Sequence, residues 1–129
     1  MEKKATFRLP KTAVLSRSED FMSVFRFKAS CSDKYLLVYG MPNTFGYSRF
    51  GISVGRKFGT AVARNHTKRL IREAFRLHRY CLPVGFDWVI VPRNVGKVSL
   101  DQYKTSLESL LARIVRRIDK KQVESGSAE

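Results

Sequence analysis

The chain has 129 residues and 43% of them are hydrophobic, which suits one folded domain with a modest core and excludes a disordered chain. Its 25 Lys and Arg residues outnumber 11 Asp and Glu residues and give a net charge of +14, so we expect attraction to polyanions, nucleic acid first and an anionic membrane surface second. No apolar run approaches the roughly 20 residues of a membrane helix, and the first residues lack the apolar core of a secretion signal. The sequence therefore predicts a cytoplasmic protein.

The N-terminal part of the chain predicts a basic arm followed by a helix. Residues 1–14 are basic and irregular. Ser16–Glu19 has the spacing of a capping box, a hydroxyl followed three residues later by a carboxylate, and predicts a helix over about 17–27. Phe21 and Phe25 lie on one face of this helix, and that spacing taken alone is typical of core packing.

Three stretches of β character follow the first helix. Residues 35–40 alternate between two faces, and a short strand around 28–32 would pair with them. Residues 42–46 have the composition of a turn, and residues 48–55 alternate again. The sequence therefore predicts a hairpin in which the strand at 48–55 pairs with the strand at 35–40.

A long helix and a buried strand come next. The helical pattern runs from about 60 to 80 and stops before Pro83 and Gly85. Phe86–Val91 is apolar on both faces apart from Asp87, which is typical of a central strand.

A second capping box, Ser99–Gln102, opens the last helix, whose apolar spacing continues to Ile118. Residues 119–129 are polar, and we expect a disordered tail there. The expected core includes Trp88, Ile90, Leu107, Leu111 and Ile114. The order helix, strands, helix, strand, helix predicts one α+β or α/β sandwich over residues 1–118, with helices covering a sheet.

The positive charge is concentrated around the long helix. Residues 56–79 hold eight basic residues and one acid, a net charge of +7 and half of the chain's total. At about 100° per residue, most of these cations fall within an arc of roughly 140°. The cations in the helix are Arg64, Lys68, Arg69, Arg72, Arg76 and Arg79, and they share this arc with Asn65.

Two interpretations of this charged face compete. A solvated face crossed by ion pairs is the ordinary one, but Glu73 alone cannot neutralise its neighbours. Each pair of like charges four residues apart also destabilises the helix by ~0.2–0.5 kcal/mol. Contact of these cations with phosphates would offset that repulsion. We therefore favour phosphate binding, although charge alone does not choose between DNA, RNA and a membrane.

The residues of this helix also carry a family resemblance. The stretch Gly51–Arg76 reads GISVGRKFGTAVARNHTKRLIREAFR. It closely resembles the signature of the bacterial ribonuclease P protein subunit, G-x-S-V followed by K-x-G-x-A-V-x-R-N-x-x-K-R-x-x-R. The resemblance extends over about residues 8–118. Two positions depart from the family: His66 stands where Arg or Lys is usual, and Lys28 stands where Gly is usual.

The resemblance implies a fold and a division of labour. The fold is a four-stranded sheet with three helices, related to a domain of ribosomal proteins, with a left-handed βαβ crossover where general rules favour a right-handed one. The RNA subunit is the catalyst: it holds Mg²⁺ and hydrolyses the bond between the 5′ leader and mature tRNA. The implied partners are the ribonuclease P RNA and precursor tRNA, with no membrane and no obligate protein partner.

The resemblance assigns two binding surfaces and no catalytic residue. The implied RNA-binding residues are Arg56, Lys57, Arg64, Asn65, His66, Lys68, Arg69 and Arg72. The implied walls of a cleft for the leader are Phe21, Phe25 and Tyr39. Bases would stack on these aromatic rings beside cations.

The residue types of this chain also indicate that it carries no catalytic site of its own. The sequence has no paired carboxylates at metal-site spacing, and its two His and two Cys are isolated, so we expect no metal ligands on this chain. Two alternatives stay open: a ribosomal-type or chaperone RNA binder without an enzymatic partner, and a metal-dependent nuclease acting alone.

Overall fold

The structure is a computed structural model that describes residues 11–127, with side chains described for residues 12–120. Most of the predicted basic arm, residues 1–10, lies outside the described part. Three helices and four strands follow a short 3₁₀ turn at Lys11–Ala13. The helices are α1 (Ser18–Phe27), α2 (Ala61–His78) and α3 (Leu100–Ser127), and the strands are β1 (Ala29–Ser32), β2 (Leu36–Pro42), β3 (Arg49–Ile52) and β4 (Phe86–Pro92).

The four strands form one mixed sheet in the order β1-β2-β4-β3. β2 is antiparallel to β1 and to β4, whereas β3 and β4 are parallel and are connected through α2. This confirms the α+β fold with four strands and three helices, and it confirms β4 as a central strand.

The predicted hairpin between β2 and β3 is wrong, because β4 lies between these two strands. In β4 the side chains of both faces are buried from Asp87 to Ile90. A strand that is apolar on both faces gains most from a central position, so it displaces β3 to the edge of the sheet.

The two faces of the sheet are covered differently. α2 and α3 pack on one face, over a core that contains all five residues predicted for it, each fully buried: Trp88, Ile90, Leu107, Leu111 and Ile114. On that face Trp88 occupies the space beside Gly40, where an added Cβ would lie 2.4 Å from the ring. Among the described residues, α1 is the only helix on the opposite face, where Leu15 packs in the same cluster.

α1 crosses its face of the sheet along a single row of side chains. Gly51, Val89 and Tyr39 are register partners in β3, β4 and β2. Two contacts place the helix on this row, Phe21 with Gly51 and Phe25 with Tyr39, and Val24 lies in one hydrophobic cluster with Val89. The helix therefore runs across the strands, and no other helix between residues 11 and 127 covers this face on either side of it.

The structure confirms one of the two predicted capping boxes and contradicts the other. The box at the start of α3 is confirmed: Gln102 N–H donates to Ser99 Oγ at 3.1 Å, and Ser99 N–H donates to Gln102 Oε1 at 2.8 Å. The box at the start of α1 is wrong, because Arg17 is the N-cap and no side chain caps the helix. α3 also continues to Ser127 instead of ending near Ile118, since no Gly or Pro interrupts residues 119–125.

Lys28 ends α1 in the left-handed conformation, with φ 63° and ψ 30°. It is the one non-glycine residue with positive φ in the described part of the chain. The turn is closed by its N–H, which donates to the Phe25 carbonyl at 3.2 Å. Lys28 therefore adopts the left-handed conformation that Gly would adopt without strain, at the cost of backbone strain.

Asp87, the one polar residue predicted inside β4, is 1% exposed and fully partnered. Its Oδ1 accepts from Arg49 Nε and from Asn43 Nδ2, both at 2.9 Å. The hydrogen bond with Asp87 raises the pKa of Arg49. This pair ties the start of β3 to the centre of the sheet, and so it explains how a carboxylate is tolerated in the central strand.

Candidate nucleic-acid interface

The start of α2 is built by three successive backbone features. A 3₁₀ turn at Arg56–Phe58 is followed by Gly59, whose φ of 155° is a conformation that favours glycine. Thr60 then caps the helix, because its Oγ1 accepts from Ala63 N–H at 3.1 Å. The turn therefore carries Arg56 and Lys57 directly into the helix that holds the other predicted cations.

α2 separates an apolar face from a charged one. Thr67, Ile71, Ala74 and Phe75 are buried against the rest of the molecule. On the other side Asn65, His66, Arg69 and Arg72 are exposed, Arg64 and Lys68 are half-buried, and Arg56 and Lys57 are exposed on the preceding turn. The structure thus brings all eight predicted RNA-binding residues to the N-terminal half of the helix and its preceding turn, with His66 on the flank opposite to Lys68 and Arg72. We call the six Arg and Lys residues of this set (56, 57, 64, 68, 69, 72) the cationic ridge.

The cationic ridge is not neutralised by neighbouring acids. Within the described residues, no carboxylate oxygen lies within 4.0 Å of any of its six side chains. Arg64 Nε is buried and has no hydrogen-bond partner in the same part of the chain. A surface of this kind attracts phosphates, because their contacts would replace the missing counter-charges.

Glu73, the one acid of the segment, is engaged one turn further along α2. Its Oε1 accepts from Arg76 Nε at 3.1 Å, and this hydrogen bond lowers the pKa of Glu73 and raises that of Arg76. Glu73 is therefore ionised near neutral pH and pairs with Arg76 rather than with the ridge. The interpretation of the whole face as an ion-paired surface is wrong for the ridge and right for this one pair.

The aromatic residues predicted for the second surface also come together. Phe21 and Phe25 of α1 and Tyr39 of β2 are half-buried on the same face of the sheet. The ring centroids of Phe25 and Tyr39 lie 4.8 Å apart at an interplanar angle of 86°, an edge-to-face contact. These three rings form the aromatic cleft, whose walls are half packed and half open to solvent.

A groove that the sequence did not reveal joins the two surfaces. It has a volume of about 110 Å³ and lies at the outer edge of β3. Phe21 of the aromatic cleft lines it together with Gly51 and Ile52 of β3 and with Lys68 and Arg72 of the ridge. No sequence signal predicts this groove, because it forms where side chains of α1 and α2, which cover opposite faces of the sheet, meet at the edge strand β3.

The described residues offer no metal site and no membrane span. No group of three or more His, Cys, Asp or Glu side chains between residues 12 and 120 is placed to hold a metal ion. None of the helices in the described range combines the length and apolar character needed to cross a membrane.

The fold and the ridge define a small basic α+β protein whose main surface feature is a group of cations without neighbouring carboxylates. Comparison with protein families makes the assignment specific: the family model described as Ribonuclease P matches residues 9–115. The chain belongs to the ribonuclease P protein family. Membership implies an RNA partner within a ribonucleoprotein endonuclease and a place in tRNA processing.

Individual relatives agree with the family match. The ribonuclease P protein component of Thermotoga petrophila is 37% identical over 101 residues, which cover 78% of this chain and 86% of that protein. The ribonuclease P protein component of Clostridioides difficile is 36% identical over 110 residues, covering 84% of this chain and 94% of that protein.

Solved structures agree as well. The RNase P protein from Thermotoga maritima superposes with a TM-score of 0.70 at 38% identity, covering 77% of this chain and 94% of that one. The Staphylococcus aureus RNase P protein superposes with a TM-score of 0.68 at 30% identity, covering 81% and 96%.

Proposed function

We propose that this chain binds the catalytic RNA of ribonuclease P and the 5′ leader of precursor tRNA, and so assists Mg²⁺-dependent removal of the leader. The observation that carries the proposal is the continuity of the two surfaces. The cationic ridge and the aromatic cleft share one groove, which is lined by Phe21, Lys68 and Arg72. One RNA-binding surface can therefore serve both the RNA subunit and the substrate.

The cationic ridge is proposed to dock on the RNA subunit. Arg guanidinium groups bind phosphates through two parallel hydrogen bonds, whereas Lys acts as a point charge. Asn65 and His66 stand exposed among these cations, where they can donate hydrogen bonds to ribose, base or phosphate oxygens. Binding of this type releases counterions, so assembly of the holoenzyme would weaken steeply as salt is raised.

The aromatic cleft is proposed to hold the single-stranded leader. Unpaired bases stack on aromatic side chains, and each stacked base contributes about 1–3 kcal/mol without much dependence on sequence. Phe21, Phe25 and Tyr39 provide rings on one surface, and the neighbouring ridge supplies positive charge for the leader phosphates. Catalysis is assigned to the RNA subunit and to the Mg²⁺ ions that it holds, in the cytoplasm.

Reconstitution tests the proposal. Precursor tRNA is incubated at low Mg²⁺ with a bacterial ribonuclease P RNA alone, with the RNA plus this protein, and with this protein alone. We expect cleavage to be stimulated only when the RNA and the protein are both present. Absence of stimulation would favour an RNA binder without an enzymatic partner, and cleavage by the protein alone would favour an independent nuclease.

A further inference from the structure

A second concavity lies on the opposite flank of α2 from the groove at β3. It has a volume of about 480 Å³ and separates α2 from the loop at residues 93–98, between β4 and α3. Its walls include Phe58, His66, Leu70, Asn94, Lys97 and Tyr103. None of these residues belongs to the cationic ridge or to the aromatic cleft, and His66 is the one member of the predicted RNA-binding set among them.

The lining suits a flat heteroaromatic ligand. Its volume is in the range of ~300–1,000 Å³ that is typical of small-molecule sites. Phe58 and His66 offer two rings of the types on which unstacked bases are held, and Leu70 adds an apolar wall. This lining suits a small aromatic metabolite and a base of a larger nucleic acid equally well. The residues around the cavity distinguish between these two ligands.

Polar groups stand at the floor and the rim of the same cavity. Tyr103 is 2% exposed and its hydroxyl is hydrogen-bonded to Thr67, while burial raises its pKa, so it presents a neutral hydroxyl. Asn94 at the rim brings an amide that both donates and accepts. Lys97 brings a cation suited to a phosphate. This combination matches the edge of a nucleobase and the phosphate attached to it.

The position of the cavity on α2 identifies the source of the ligand. Residues 63, 66, 67 and 70 line the cavity, whereas residues 64, 68, 69 and 72 belong to the ridge. The two sets interleave along adjacent faces of one helix, and Arg56 and Lys57 immediately precede Phe58. RNA whose phosphates lie on the ridge therefore has its bases beside the mouth of the cavity, and the charge around the mouth favours a polyanion over a neutral metabolite.

We propose that this cavity receives one unstacked nucleobase of the RNA that the cationic ridge binds. Phe58 and His66 flank the base, the hydroxyl of Tyr103 and the amide of Asn94 meet its polar edge, and Lys97 pairs with a neighbouring phosphate. The inference rests on the proposed docking of α2 on the ribonuclease P RNA and adds a base-specific contact to an otherwise electrostatic surface.

The test fills the cavity without changing any charge. Ala63 lines the cavity, so Ala63→Leu reduces its volume, whereas Ala61→Leu adds the same atoms to an exposed residue of the same helix turn that does not line it. We expect Ala63→Leu and Phe58→Ala to weaken binding to the ribonuclease P RNA about five- to hundredfold, with the salt dependence unchanged, and Ala61→Leu to stay within about twofold. Equal affinities for Ala63→Leu, Ala61→Leu and the unsubstituted protein would overturn the proposal.

Chemical probing separates loss of the pocket from loss of the fold and from failure of the proposed function. At saturating protein, the unsubstituted chain should protect at least one unpaired base of the RNA, and Ala63→Leu should restore the reactivity of that base while the backbone protections persist. Unchanged protection would show that the cavity holds no base even though docking is correct. Absence of any binding by the unsubstituted protein would refute docking and the pocket together.

Discussion

The ring of Phe21 lies so close to the backbone of Gly51 that a Cβ at residue 51 would be 2.4 Å from Phe21 Cζ. This contact fixes α1 on the edge strand β3 and places Phe21 in the groove with Lys68 and Arg72. The glycine in the G-x-S-V motif is therefore explained by packing: it makes room for an aromatic wall of the cleft.

Gly51→Ala should displace the ring of Phe21. Overpacking of this kind costs about 1–3 kcal/mol, so we expect the free energy of unfolding in denaturant titrations to fall by that amount. Gly55→Ala is the matched control, because a Cβ at residue 55 meets no atom within 4 Å and its φ of −78° suits alanine. Equal stabilities for the two variants would show that Phe21 moves aside without cost.

Phe21→Ala should weaken the preference of the holoenzyme for leader-bearing precursor over mature tRNA. Loss of one stacked base corresponds to about 1–3 kcal/mol, or roughly fivefold or more in the ratio of the two affinities. Met22→Ala serves as the control, because Met22 is the next residue of α1 and is 50% exposed. Affinities that fall equally for both substrates would remove Phe21 from the leader site.

Lys28→Gly should stabilise the protein. Relief of the left-handed strain, worth ~1–2 kcal/mol, exceeds the extra unfolded-state entropy of glycine, ~0.4–1 kcal/mol, so we expect a net gain of about 0.5–1 kcal/mol. Lys28→Ala removes the same charge but keeps a Cβ in the strained conformation, and it should bring no gain. Thermal unfolding of both variants distinguishes release of strain from removal of charge.

Local sequence signals predicted most elements and the main surface. The bounds of α2, the buried character of β4 and the capping box at Ser99 all depend on neighbouring residues, and the structure has each of them. The sequence also predicts the cationic ridge, because residues three and four apart share one face of a helix.

Features that depend on contacts between residues far apart in the chain were not predicted from the sequence. The pairing of β3 depends on competition between strands far apart in the chain, so local alternation suggested the wrong partner. The role of Asp87 depends on Arg49, 38 residues earlier. The groove beside Phe21 and the cavity beside Phe58 form between elements that only the folded sheet brings together.

The salt dependence of assembly with the ribonuclease P RNA tests the central claim, that the unpaired cations of α2 contact RNA phosphates. The logarithm of the affinity is measured against the logarithm of the salt concentration for the unsubstituted protein, for Arg64→Ala, for Arg69→Ala and for Arg76→Ala. The last variant loses the same charge from the same helix, but from a residue already paired with Glu73.

We predict that Arg64→Ala and Arg69→Ala each reduce the slope by about 0.7–0.9, the value for one phosphate contact, and that Arg76→Ala leaves it nearly unchanged. Slopes for Arg64→Ala and Arg69→Ala that equal the unsubstituted slope would contradict the docking of α2 on RNA.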